Sequence, residues 1–264
     1  MCLQQTRQLM THINRMELRK TVTVMADAHC HLDAIDILKI NEAVEDGVLY
    51  MFTDGVDTKS NLKSIDLASK HVFPLVGVHP EYAAAMSDKE LNYNLDIARS
   101  NKSVIVGIGE IGLDYTRAAG FEGMDRQKQV FELFLDLAEK LKMPVSVHSR
   151  NAIDDVFIIL KERTDLKVHI HFFEGGVEHA KIAERRGYMI SVPPLKSAKR
   201  DKVINSISID YLMAETDSPT AGMFPKDVRS AVENIARLKQ VSFETAAEKL
   251  TQNTIEFFNV KDRI

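Results

Sequence analysis

Short apolar runs alternate along this chain with longer segments in which apolar residues recur every three or four positions. Apolar runs bounded by polar residues are typical of buried strands, and the longer periodic segments are typical of amphipathic helices. The pattern predicts strands at residues 22–29, 47–53, 72–79, 104–110, 144–148, 167–172, 188–192 and 211–217. It predicts helices at residues 35–45, 58–69, 88–99, 126–141, 153–163, 177–186, 198–204, 227–239 and 243–258, with Ser242 as the N-cap of the last one.

The order of these elements indicates the fold class. Strands that alternate with helices indicate βαβ units and a parallel sheet. Eight such units predict an α/β protein with a single TIM (β/α)8 barrel over residues 22–264, preceded by a short N-terminal extension at residues 1–21. A doubly wound open sheet is the alternative, but it would normally have a glycine-rich turn after its first strand. Residues 29–33, at the end of the first predicted strand, contain no glycine.

Composition and charge narrow the class of protein. Apolar residues make up 45% of the 264 residues and charged residues 27%, which is ordinary for a globular protein with a sizeable core. The net charge of -4 argues against an extended surface for non-specific nucleic-acid binding, although a local basic patch is still allowed. With only Cys2 and Cys30, no apolar run long enough to span a membrane and no secretory signal, we expect a cytoplasmic protein.

The most informative motif lies at the end of the first predicted strand, where one residue separates His29 from His31. Because side chains alternate faces along a strand, the two imidazoles point the same way and Cys30 points the other way. Two imidazoles on a rigid strand form half of a site for a divalent ion. The pair alone is equally consistent with two ordinary histidines, so the other strand ends must decide.

Five more predicted strands end in a residue that can bind a metal ion. These residues are His79, Glu110, His148, His171 and Asp217. The carboxyl ends of the strands in a barrel form one mouth, where the active sites of this fold are built. Residues far apart in the sequence would therefore meet there, and clustered histidines and acids at a barrel mouth predict a metal centre.

The strand order around a closed barrel divides the candidate ligands into two groups. One group is His29, His31 and Asp217, from the first and last strands, and the other is His148 and His171, from the fifth and sixth. Glu110, on the fourth strand, is the carboxylate that could bridge two ions. Two divalent ions about 3.5–4 Å apart can activate a shared water for attack and stabilise the leaving oxygen. This arrangement predicts hydrolysis, with Asp217 as both ligand and general base and Glu110 as the bridge.

Six segments of the chain carry a resemblance to a known family. They are Asp-Ala-His-Cys-His-Leu-Asp at 27–33, Gly-Val-His-Pro at 77–80, Gly-Glu-Ile-Gly-Leu-Asp-Tyr at 109–115, Pro-Val-Ser-Val-His-Ser-Arg at 144–150, His-Phe-Phe-Glu-Gly at 171–175 and Glu-Thr-Asp-Ser-Pro at 215–219. In this order they resemble the TatD family of metal-dependent deoxyribonucleases, within the amidohydrolase-like barrels, over about residues 24–260. The resemblance implies hydrolysis of phosphodiester bonds in DNA, often by 3′ exonucleolytic attack. It also implies metal-ligand roles for His29, His31, Glu110, His148, His171 and Asp217.

Three departures from the family pattern bear on the substrate. Glu81 follows Pro80 where the family commonly has histidine, and Glu174 lies where it commonly has a hydroxyl residue. The segment after Pro219 is also shorter than the usual loop. Two acids at the mouth make it less favourable for a polyanion, so a smaller phosphodiester is an alternative to DNA.

Several side chains near the predicted ligands are candidates for other roles. His79 could donate to a substrate phosphate, and Arg150, two residues after His148, could bind phosphate through its guanidinium. A structural histidine and a rim salt bridge are the respective alternatives. The basic loop, which we define as Lys196, Lys199, Arg200 and Lys202, could contact phosphates or form a solvated helix face. Asp27 and Glu215 are expected to orient the ligands, and His169 to be a hydrogen-bonded core histidine.

The sequence thus predicts a metal-dependent hydrolase with two divalent ions, which could be Zn, Mn or Mg. Its expected partner is DNA or a smaller phosphodiester, without a membrane or a protein partner, and we expect a monomer. A hydrolase of the same fold that cleaves a C–N or carboxylic ester bond is the first alternative, because an activated water serves both reactions. A metal-stabilised binding protein without turnover is the second. Anion-binding residues near the metals would favour the phosphodiester.

Overall fold

The computed structural model describes residues 23–261, and the predicted N-terminal extension at residues 1–21 lies outside them. Eight parallel strands form one sheet in the order of the sequence. They are β1 (Met25–Cys30), β2 (Val48–Asp54), β3 (Val72–Val76), β4 (Gly107–Asp114), β5 (Val145–Arg150), β6 (Val168–Ile170), β7 (Met189–Val192) and β8 (Leu212–Ala214). The predicted TIM barrel is therefore confirmed.

Helices lie between the strands and after the last one. They are α1 (Ile37–Glu45), α2 (Thr58–Asp66), α3 (Pro80–Ala83), α4 (Asp88–Ser100), α5 (Gly120–Leu141), α6 (Ile153–Leu160), α7 (Val177–Arg185), α8 (Ala198–Ser206), α9 (Val228–Lys239) and α10 (Phe243–Phe257). Ser242 caps α10 as predicted, accepting a hydrogen bond from the Thr245 amide at 3.1 Å. Within residues 23–261, no helix combines the length and apolar character needed to cross a bilayer.

The barrel closes at its mouth, just beyond the ends of β8 and β1. The Asp217 amide donates to the His29 carbonyl at 2.9 Å, and the His31 amide donates to the Ser218 carbonyl at 2.7 Å. These two backbone bonds join the last strand to the first at the residues that carry the histidine pair. The closure of the fold therefore brings Asp217 to His29 and His31.

The barrel buries two apolar clusters. The larger one fills the space between the strands and the helices, and Cys30 belongs to it, pointing away from His29 and His31 as predicted. The smaller cluster contains Phe52 and Phe258, whose rings stack with centroids 4.4 Å apart. Phe73 and Met189, near the starts of β3 and β7, also belong to it.

Several predicted strands have the wrong bounds. The third ends at Val76 and not at residue 79, because Pro80 cannot donate to a ladder and instead begins α3. The fourth runs over Gly107–Asp114, so Glu110 lies inside it and not at its end. Glycines at 107, 109 and 112 hid this strand, since glycine is depleted in strands. His171 and Asp217 follow strands that end earlier than predicted, at Ile170 and Ala214.

Candidate metal centre

All the predicted site residues meet at the carboxyl ends of the strands. A cavity of about 710 Å³ opens there, and seven of the eight line it: His31, His79, Glu110, His148, Arg150, His171 and Asp217. His29 is fully buried behind them. The barrel topology therefore brings the dispersed strand-end residues to one cavity, as predicted.

The first predicted group, His29, His31 and Asp217, encloses a small space at the barrel seam. The two Nε2 atoms of the histidines are 3.3 Å apart, and Asp217 Oδ1 lies 3.3 Å from Nε2 of His31. Glu110 Oε2 completes the set, at 3.5 Å from Nε2 of His31 and 3.7 Å from Nε2 of His29. Four donor atoms from three separate strands thus face each other.

The second predicted group, His148 and His171, lies on the other side of Glu110. Glu110 Oε1 is 2.8 Å from Nδ1 of His148 and 2.7 Å from Nε2 of His171. These two ring nitrogens are 3.2 Å apart. His79 is the nearest further donor, with its Nε2 atom 3.5 Å from Glu110 Oε1. The two carboxylate oxygens of Glu110 therefore face different histidine groups.

The charge of the site follows from these contacts. Burial opposes ionisation of Glu110, but the surrounding histidines, His171 foremost, hold its pKa well below the usual range. Burial also opposes ionisation of Asp217, but the facing histidines, His31 foremost, lower its pKa nonetheless. Both acids are thus carboxylates, which can share a cation with the imidazole nitrogens.

The first histidine pair is held by groups behind it. Nδ1 of His31 donates to the Asp54 carbonyl at 2.9 Å, which leaves the Nε2 lone pair free to bind an ion. Nδ1 of His29 lies 3.2 Å from the Asp54 carboxylate and 3.3 Å from the Ser146 hydroxyl. Partners of this kind fix the ring and tautomer of a metal-binding histidine.

Sequence reasoning missed Asp54. The residue is fully buried at the end of β2, and the predicted strand stopped at residue 53, one residue short of it. Its signal was the same as for the other site residues, since an acid at the end of an apolar strand points to the mouth. Asp114, at the end of β4, was missed in the same way and lies 3.4 Å from Nε2 of His148.

His79 differs from the other histidines in its hydrogen bond. Its Nδ1 atom accepts from the Glu81 amide at 3.1 Å, so the neutral ring carries its proton on Nε2, the atom that faces the cavity. Burial lowers the pKa of His79 to about 3, so the ring is neutral. In this form the Nε2–H group is a donor and offers no lone pair to an ion.

The rim of the cavity contains charges of both signs. Arg150 lines the cavity and is exposed, as the prediction of a phosphate contact requires. Glu81, one of the three departures from the family pattern, forms an ion pair with Arg117 at 3.2 Å, so its charge is balanced locally. In the basic loop, Lys199 donates to the Glu174 carbonyl at 2.5 Å.

Three predicted supporting residues occupy the layer below. Asp27 accepts from both the amide and the hydroxyl of Thr216, which secures the segment leading to Asp217. Glu215 accepts from the Phe172 amide and the Ser191 hydroxyl, and its carboxylate lies 3.8 Å from Nδ1 of His171. His169 is fully buried and bonds to Ser191 at 2.6 Å, as expected of a core histidine.

The donor set tests whether this site fits metal ions. Among the described residues, His29 forms one set of donors with His31 and Asp217, and a second set with Glu110 and His171. Within each set the donor atoms lie within 4.8 Å of one another. Such donors suit divalent ions. A centre of this kind at the mouth of a (β/α)8 barrel defines the class of metal-dependent hydrolases.

Comparisons with known proteins identify the family within this class. The family described as TatD related DNase matches residues 26–259, and the chain belongs to the TatD family of metal-dependent hydrolases. An uncharacterised metal-dependent hydrolase of Methanocaldococcus jannaschii is 32% identical over 246 residues, covering 88% of this chain and 96% of the relative. The human deoxyribonuclease TATDN3 is 31% identical over 258 residues, covering 89% of this chain and 94% of the relative.

A solved structure supports the same fold. The crystal structure of a TatD homologue from Escherichia coli superposes with a TM-score of 0.82 at 24% identity. The match covers 90% of this chain and 99% of that chain. The barrel of this chain is thus similar over its whole length to that of a TatD homologue.

Proposed function

We propose that the protein is a deoxyribonuclease that uses two divalent metal ions to hydrolyse phosphodiester bonds from the 3′ end of DNA. The placement of Glu110 carries this proposal, since each of its carboxylate oxygens faces one histidine group. The family and the human relative named as a deoxyribonuclease support the choice of DNA. The free, buried thiol of Cys30 agrees with the reducing cytoplasm, where we propose that the protein acts as a monomer.

Glu110 lies between the two groups of candidate ligands, and each group would hold one ion. His29, His31, Asp217 and Glu110 Oε2 would hold the first ion. His148, His171 and Glu110 Oε1 would hold the second. When bound, Zn, Mn or Mg ions would lower the pKa of the attacking water and stabilise charge on the phosphate.

Asp217 and His79 act on the substrate side of the site. Asp217 faces the cavity with its carboxylate, where it takes the proton of the attacking water. His79 presents an Nε2–H group to the cavity, and this group donates to a phosphate oxygen. Arg150 offers the forked guanidinium that suits the same phosphate. These anion contacts favour a phosphodiester over a C–N or carboxylic ester bond.

One assay panel tests this function. It compares DNA, RNA, bis-p-nitrophenyl phosphate and a carboxylic ester, each with Mg, Mn and Zn. Wild-type protein is compared with the Glu110→Ala variant. We expect cleavage of DNA and of the small phosphodiester, and loss of both in the variant. Cleavage of the carboxylic ester without any phosphodiester would overturn the nuclease proposal, and cleavage of bis-p-nitrophenyl phosphate without DNA would point to a smaller substrate.

A further inference from the structure

A second cavity lies beside the metal centre, between the loops that follow β5, β6 and β7. It has a volume of about 370 Å³, and Ser149, Ile153, Glu174, Ser197, Lys199 and Arg200 contribute to its lining. Loops at the carboxyl ends of barrel strands commonly form phosphate sites. We call this cavity the Ser149–Arg200 pocket.

Ser149 provides the first indication of a ligand. Its hydroxyl points to the opposite side of β5 from His148, and the residue is only 8% exposed. The Oγ atom has no hydrogen-bond partner among residues 23–261, although it lines the pocket. A buried polar group without a partner destabilises the folded state, and a ligand that bonds to it would recover that loss.

Arg200 provides the second, independent indication. Its Nη1 atom donates to the Leu195 carbonyl at 2.6 Å, and its guanidinium lies 5.5 Å from the centre of the Phe172 ring. These contacts fix the side chain against the pocket wall. The Nε atom is buried without a partner among residues 23–261. Glu215, Glu174 and Asp201 act on this guanidinium from a distance, but none of them forms an ion pair with it among the described residues. A fixed, unpaired guanidinium is suited to a tetrahedral oxyanion.

The charges that line the pocket also favour an anion. Lys199 and Arg200 line it together with one acid, Glu174, so positive charge is in excess among the lining residues. The start of helix α6 at Ile153 adds nothing to this preference, because its first turn carries Asp154 and Asp155.

The pocket lies next to the metal cavity. A smaller cavity of about 250 Å³ shares Ser149 and Glu174 with the pocket. It shares His148, His171 and Asp217 with the metal cavity. The pocket and the metal centre are therefore neighbours at the same end of the barrel.

We infer that the Ser149–Arg200 pocket binds a second phosphate group of the substrate, next to the phosphate that is hydrolysed. The inference rests on the proposed function in taking this phosphate from a DNA strand. When the enzyme cleaves the last phosphodiester at the 3′ end of a strand, the hydrolysed phosphate has a neighbouring phosphate only on its 5′ side. The pocket thus selects for a 5′-phosphorylated dinucleotide over the same dinucleotide with a free 5′ hydroxyl.

The first experiment measures kcat/KM for thymidine dinucleotides with and without a 5′ phosphate. A charge-assisted hydrogen bond contributes about 1.5–3 kcal/mol, so the wild type should prefer the phosphorylated form by roughly tenfold or more. Arg200→Gln should reduce that preference to about twofold or less, since one strong donor is removed. Lys202→Gln removes the same charge from the same helix outside the pocket lining and should retain the preference. Equal rates for the two dinucleotides in the wild type would overturn the inference, as would an unchanged preference in Arg200→Gln.

Ser149→Ala distinguishes an effect on phosphate binding from an effect on the stability of the fold. The substitution removes a buried hydroxyl without a partner, so thermal stability should stay the same or rise. The preference for the 5′ phosphate should nevertheless fall, by about threefold. A stable variant with full preference would contradict a role of this hydroxyl.

A binding measurement keeps the pocket testable if no dinucleotide is cleaved. Inorganic phosphate is titrated into the Mg²⁺-loaded protein, and the Nε–H resonance of Arg200 is followed by NMR and assigned by its absence in Arg200→Gln. We expect a saturable shift of this resonance. A resonance that does not respond to phosphate would overturn the inference that the pocket binds phosphate. A clear shift without cleavage of any dinucleotide would overturn only the proposed nuclease activity.

Discussion

The two sides of the metal centre differ in how their histidines are supported. On the seam side, Nδ1 of His31 donates to the Asp54 carbonyl and Nδ1 of His29 lies 3.2 Å from the Asp54 carboxylate. On the other side, Nε2 of His148 lies 3.4 Å from the Asp114 carboxylate and Nδ1 of His171 lies 3.8 Å from the Glu215 carboxylate. These contacts are longer, and neither nitrogen makes a hydrogen bond among residues 23–261. The seam side is therefore more rigidly preorganised. We expect it to bind its ion more tightly than the other side does.

Glu110 joins the two sides, so its substitution should have the largest effect. Glu110→Gln keeps the size of the side chain but removes the charge that faces both groups. We expect both ions to bind more weakly and phosphodiester cleavage to fall by roughly 10³-fold or more, since charge stabilisation at both ions is lost. Metal content after dialysis and the cleavage rate check this. A variant that retains two ions and full activity would contradict the bridging role of Glu110.

Asp217 tests the seam side alone. Asp217→Asn removes the negative charge of one oxygen ligand and the proposed proton acceptor while it keeps the side-chain shape. We expect kcat to fall by about 10²–10⁴-fold, the usual range for the loss of a general base. His148 and His171 are untouched, so the ion on the other side should be retained. Loss of the second ion with the first would show that the two sides fill together.

Two matched substitutions compare the supports behind the histidines. Asp54→Asn weakens the contact to His29, and Asp114→Asn weakens the 3.4 Å approach to His148. Removal of such a support typically costs about 10–100-fold in metal affinity. We expect Asp54→Asn to weaken the tighter ion and Asp114→Asn to weaken the other one, by calorimetric titration with Mn²⁺. The reverse assignment would contradict the predicted order of filling.

His79 should give the smallest effect. Because its Nδ1 atom accepts from the Glu81 amide, we assign its Nε2–H group to the substrate and not to an ion. His79→Gln should raise KM by about tenfold, as for the loss of one hydrogen bond to a charged phosphate, with metal content unchanged. A fall in metal content would show that His79 is a third imidazole ligand of the second ion, which would contradict its assignment to the substrate.

The sequence predicted the barrel and the meeting of the ligands because both follow from local regularities. The strand–helix alternation determines the barrel, and the period of two along β1 brings His29 and His31 to one face. The closure of the barrel then delivers Asp217, and its two backbone bonds confirm that step. These inferences needed only periodicity and the geometry of one fold.

The missed features depend on contacts that periodicity does not contain. Glycines concealed the extent of β4, and Pro80 converted the end of the third predicted strand into a helix whose N-cap is His79. Asp54 acts through His29, on the neighbouring strand, and this contact depends on the register of β1 against β2. Sequence patterns thus locate the groups that face the mouth, but not the hydrogen bonds that select their tautomers.

Anomalous diffraction from crystals grown with Mn²⁺ tests the central claim most directly. We predict one peak at His29, His31 and Asp217 when one equivalent is supplied. With an excess, we predict a second peak about 3.5–4 Å away, near His148 and His171, with Glu110 between the two. A single peak at every concentration, or first occupancy on the side of His148 and His171, would contradict this account.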